Sequence, residues 1–148
     1  NLVKRQAEVE ILPLAQAEKL GVIPYSPRGG GLLTGKYGAT RRPASGRLLE
    51  NSRYKIRYGE AWMYEVADSF TTFAQERGYP PAALALAWVA SHPAVTAPII
   101  GARNLEQLAS SLRALEIEMT PELRAEISDL SPEPPPATDR TDDRASPL

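Results

Sequence analysis

The chain has 148 residues, and 17 Lys and Arg against 18 Asp and Glu leave a formal net charge of -1. So even a balance, with no long run of like charge, offers no field to draw in nucleic acid or an acidic membrane, and a small molecule is the expected partner. The absence of cysteine and the single histidine, His92, exclude disulfides, thiol nucleophiles and multi-histidine metal sites. No apolar run is long enough to span a bilayer and no signal peptide is read, so the cytoplasm is the expected setting.

Residues 13–20 predict a helix, with Pro13 in its first turn and Gly21 just past its end. It leads into 22–25, a short β-branched and aromatic stretch that predicts a strand, followed by Ser26-Pro27-Arg28-Gly29-Gly30-Gly31. Glycines there permit positive φ and let backbone N–H groups approach a ligand, as a phosphate cradle requires. Residues 37–58 are rich in Arg, Gly, Ser and Pro with little periodicity, and read as a long excursion above the strand end.

Trp62, Val66, Phe70 and Phe73 then recur at helical spacing and predict a helix ending near Gly78. A second helix begins after Pro80-Pro81, carries Leu84, Ala87, Trp88 and Ser91 on one face, and stops at Pro93. Residues 95–100 predict a strand of the buried type, released at Gly101 into a helix with Leu105, Leu108, Leu112 and Leu115 at helical spacing. Arg103 and Asn104 sit where that helix begins, so orphan N–H donors, a positive dipole end and a guanidinium converge on one place. Thr120-Pro121 opens a last helix with Leu123, Ile127 and Leu130 spaced to pack, and beyond Ser131 a Pro- and Asp-rich string with little to bury reads as a disordered tail.

The phrases Ile23-Pro24-Tyr25-Ser26-Pro27 through Gly35-Lys36-Tyr37, and Pro98-Ile99-Ile100-Gly101 through Gln107, resemble the C-terminal half of the aldo/keto reductases. The opening Asn1-Leu2-Val3 resembles the end of the phrase that closes that family's sixth strand. The resemblance covers 1–130 and implies an α/β fold: the C-terminal portion of a (β/α)8 TIM barrel, with two parallel strands and surrounding helices, and with 131–148 as the tail. A chain of 148 residues is also well short of the ~250 typical of a whole barrel, so a fragment is the expectation.

The function implied is that of an NADP-dependent oxidoreductase reducing aldehydes or ketones, here as its cofactor-binding C-terminal part. The implied cofactor contacts are Tyr25, Ser26, Arg28, Gly30, Leu32, Lys36, Gly101, Arg103, Gln107, Ser110 and Ser111. Within the resemblance, Tyr25 stacks on the nicotinamide, Arg103 grips the 2′-phosphate and Gln107 holds the adenine ribose. Two positions depart from the family's pattern: Arg28 stands where Leu is common, and Ser110-Ser111 where many relatives carry Glu-Asn. The family's catalytic Asp, Tyr, Lys and His match nothing in this chain; Lys36, Tyr37 and His92 match no catalytic motif, so the fragment alone is expected to be inactive. A non-enzymatic nucleotide-binding subunit on the same fold, like the potassium-channel beta subunits, is the alternative.

Overall fold

The strands predicted at 22–25 and 95–100 do not form. In the computed structural model, which describes residues 1–136, every regular element among the described residues is helical. The expected partial TIM barrel, with its two parallel strands, is therefore corrected to an all-helical arrangement. The physical reason lies in the prolines. The two segments run alongside one another in the same direction, with Thr96 N donating to the Val22 carbonyl at 2.9 Å and Ile99 N to that of Pro24 at 2.8 Å. Pro24 and Pro98 supply no N–H to continue a ladder, and the N–H of Val22 is taken at 3.1 Å by the Thr96 hydroxyl instead of a carbonyl. What remains is a pair of hydrogen-bonded extended segments without a sheet.

Seven α-helices occur among the described residues: α1 (Ile11–Ala17), α2 (Arg47–Glu50), α3 (Ser52–Arg57), α4 (Ala61–Glu76), α5 (Pro81–Ala90), α6 (Leu105–Leu112) and α7 (Pro121–Ser128). Short 3-10 turns at Gly29–Thr34 and Arg113–Glu116 connect them. Helix α1 stops earlier than its glycine suggests. Lys19 takes the left-handed conformation at φ 55°, and the Leu20 N–H returns to the Ala15 carbonyl, so the chain turns before Gly21. Helix α4 ends the usual way, with Gly78 at φ 74° and Tyr79 N bonded to the Ala74 carbonyl.

The excursion expected at 37–58 holds two short helices. Asn51 begins α3 by accepting from the N–H groups of Arg53 at 3.0 Å and Tyr54 at 3.3 Å, the reason the chain coils there despite its lack of periodicity. Leu48 and Tyr58 anchor both ends of this stretch in the core.

Helix α5 starts with Pro81 at its first position and is buried continuously from Ala83 to Val89. A helix apolar all round belongs in the interior. One side joins Phe70, Met63 and Ala67 of α4 with Leu32, Leu33 and Tyr37 in the main core. On its other side Ala83, Leu86 and Ala87 meet Ala114, with Ile100, Ile117 and Met119 packed against them. Thr120 caps α7 through its hydroxyl, and Ile127 is fully buried.

The predicted stripe on α6 behaves differently, for Leu105 and Leu115 are 82% and 86% exposed and Ser111 is the buried residue of that helix. Of the predicted tail, Ser131 donates to the Leu2 carbonyl and Pro135 accepts from the Gln6 side chain. Residues 137–148 of that expectation lie outside the described residues.

Candidate anion-binding cleft

The glycine run after Pro27 coils instead of forming an open loop. Gly30 and Gly31 take φ of 67° and 107°, where a side chain would be strained, and a Cβ on Gly30 would stand 2.7 Å from the Tyr54 ring. The chain therefore folds tightly beneath α2 and α3 and presents its backbone to a cleft of about 480 Å³, within the usual range for small-ligand sites. The opposite wall is the start of α6 with the turn before it.

Four cationic side chains, Arg28, Lys36, Arg47 and Arg103, line this cleft against one carboxylate, Glu106. None of the four makes an ion pair among the described residues. The guanidinium of Arg28 is held below its ordinary pKa by burial and, secondarily, by the like charge of Arg47. Arg47 lies 5.1 Å over the Tyr54 ring and meets its hydroxyl at 3.4 Å. No side-chain hydrogen bond within the described residues occupies Lys36 or the guanidinium of Arg103, so both have donors to offer.

Of the residues read from sequence, Arg28, Gly30, Lys36, Gly101, Arg103, Gln107 and Ser110 come together here. Tyr25 and Ser26 line a separate, shallow groove of about 280 Å³ beside Tyr54 and Ile99, with Arg28 and Gly101 shared between the two cavities. Leu32 is buried in the core, and Ser111 is buried against Arg28. Arg47 is the residue that sequence reasoning missed. It sits in a stretch without periodicity, and its one local signal is the Asn51 cap downstream.

The first turn of α6 is internally satisfied. Asn104 Oδ1 accepts from the Gln107 N–H at 2.9 Å, and Gln107 Oε1 accepts from the Arg103 N–H at 3.1 Å, a reciprocal cap. Gln107 thus has a conformational task in the chain itself. Replacing Asn104 with Ala is expected to cost α6 about 1 kcal/mol, seen as faster amide exchange in its first turn with α4 unaffected. His92 stands outside the cleft, where Nδ1 accepts from the Ala94 N–H and burial lowers its pKa.

A sequence profile of the aldo/keto reductase family matches residues 1–132. The chain belongs to this family. It is 37% identical over 138 residues to a Bacillus subtilis protein named as an uncharacterized oxidoreductase, YrpG, covering 90% of this chain and 39% of that protein. It is 34% identical over 127 residues to Protein tas of Escherichia coli, covering 86% and 36%, and 36% identical over 130 residues to a probable voltage-gated potassium channel subunit beta of rice, covering 83% and 39%. The chain accordingly spans 39%, 36% and 39% of the lengths of these relatives.

Family membership does not carry the barrel with it. The expected NADP-dependent reduction of aldehydes or ketones is corrected, because no sheet among the described residues holds a reacting carbonyl and a dinucleotide in register. The NADP assignment and the carbonyl substrate fall with it: Tyr25, the expected nicotinamide platform, is 68% exposed on a two-segment edge. The nucleotide-binding subunit on the same fold is corrected on the same ground. No helix among the described residues is long and apolar enough to cross a membrane.

Proposed function

We propose that the chain is a binding module for a phosphate-bearing small anion, taken up in the cleft between the glycine coil and α6. The observation that carries the reading is the set of cations Lys36, Arg47 and Arg103 around one cleft without an ion partner among the described residues. Guanidinium groups match phosphate oxygens in a planar fork, and Lys36 adds a compact point charge. Gly30, Gly101 and Ser110 keep the walls low enough for an anion to reach backbone donors. Tyr25, Ser26 and the shallow groove beside Arg28 would accommodate the apolar part of such a ligand. Residues 1–130 constitute the unit that holds the cleft, and a cytoplasmic setting fits its cysteine-free composition.

The test is calorimetric titration of the full chain with inorganic pyrophosphate, inorganic phosphate and acetate at low ionic strength. Saturable binding is expected in the order pyrophosphate, phosphate, acetate, weakening as salt is raised because the cleft is open to solvent. Equal response to all three anions, or no heat at all, overturns the reading.

A further inference from the structure

Helix α6 lies beside α5 yet buries little of its own apolar surface. Leu105 and Leu112 are exposed, Leu108 is at best half-buried, and Ser111 is the buried residue of the helix. Its flanks are anchored, with Ile100 before it and Ala114 after it packed on α5. Between those anchors α6 runs beside α5, and the contacts that join it and the turn leading into it to the glycine coil are polar.

Those contacts converge on Arg28. One guanidinium nitrogen, Nη1, donates to Ser111 Oγ at 3.1 Å and the other, Nη2, to the Gly101 carbonyl at 2.8 Å, bridging 83 and 73 residues of sequence. The Ser111 hydroxyl spends its own proton on the Gln107 carbonyl at 2.8 Å, so toward Arg28 it can only accept. Gln107 in turn fixes the Arg103 N–H and is fixed by Asn104. The sequence of bonds therefore runs from the glycine coil through Arg28, Ser111 and Gln107 to the backbone of Arg103.

We infer that Arg28 is a positioning residue: a two-point tether that clasps α6 and the preceding turn onto the glycine coil and so sets where Arg103 stands in the cleft. An apolar side chain at position 28 has no donor and cannot make either bond. The planar fork is required because the two acceptors are served by different nitrogens, which the single ammonium of Lys cannot reproduce in the same geometry. The consequence for ligand binding rests on the anion-cleft reading, whereas the tether itself does not.

Amide exchange of the full chain tests it, with Arg28→Met, Ser111→Ala, the double variant and Lys36→Met compared with the wild type. Arg28→Met is expected to speed exchange across 102–112 by about tenfold or more while α4 keeps its protection, and Ser111→Ala to do so in part. If the two side chains act through each other, the double variant exchanges no faster than Arg28→Met alone. Lys36→Met should leave exchange unchanged and weaken only pyrophosphate binding. Should Arg28→Met fail to fold, Ser111→Ala carries the comparison, and its failure to speed exchange in 105–112 overturns the tether. Unchanged exchange in Arg28→Met, or full additivity in the double variant, overturns it as well. If the wild type binds no pyrophosphate and yet Arg28→Met loosens α6, the anion reading fails and the tether stands.

Discussion

Truncating Phe70 to Ala is expected to remove about 3–5 kcal/mol of stability, the range for deleting a fully enclosed ring from a packed interior. Phe70 is 0% exposed at the centre of α4, in the cluster that joins α5 to the coil at Leu32 and Leu33. Ala67 and Ala74, its neighbours one turn away on α4, are too short to fill the void. At an ordinary domain stability of roughly 5–15 kcal/mol, this loss brings the chain close to its folding threshold. Chemical denaturation with circular dichroism at 222 nm checks it: the midpoint should fall sharply while the slope stays constant. A loss under about 1 kcal/mol would mean that the α4–α5 packing described above is not what holds the fold.

The second large effect is on binding. Neutralising Arg47 and Arg103 together, as Met, is expected to reduce pyrophosphate affinity by about a hundredfold, taking about 1.4 kcal/mol from each after solvent screening. Both line the cleft and neither has a carboxylate partner among the described residues, so their removal leaves no acid unpaired, and losing the exposed contact of Arg47 with the Tyr54 ring should cost about 1 kcal/mol of stability at most. Arg77, which is paired with Glu126 elsewhere, is the control: Arg77→Met should leave the titration unchanged. Equal loss from the control and the double variant would reduce the cleft to a diffuse charge effect.

Helices were legible wherever burial and punctuation agreed. The spacing of Trp62, Val66, Phe70 and Phe73, the Pro80-Pro81 start and the Thr120 cap all lead to helices in the structure. The strands predicted at 22–25 and 95–100 fail because Pro24 and Pro98 remove donors that a ladder needs, and this outweighs the β-branched composition of the two stretches. Helices α2 and α3 escaped because each is too short to show a period, and α3 depends on a single side-chain cap.

The site divides the same way. Arg28, Lys36 and Arg103 were grouped by the family resemblance, which assigns all three to one ligand, and the cleft does bring them together. Arg47 was not, because it reaches the cleft through the packing of Leu48 and Tyr54, which no local pattern announces. Nor could sequence say that the Ser111 hydroxyl would be sealed beneath Arg28, since burial of a serine on an amphipathic helix depends on what crosses above it.

The pairing of 22–25 with 95–100 also bears on the order of events during folding. Thr96 lies 74 residues from Val22 along the chain, whereas α4 and α5 follow one another across a four-residue turn at 77–80. Contacts between close neighbours in sequence form with little loss of chain entropy, and contacts across a long loop wait until the intervening chain is already compact. The α4–α5 pair is thus placed to assemble early and the cleft late, because one of its walls follows residue 22 and the other follows residue 96. The same asymmetry holds in reverse: a fluctuation that parts the two extended segments would loosen the cleft while the helical pair stays closed, so amides at the mouth of the site are expected to exchange faster than those of the body that supports it.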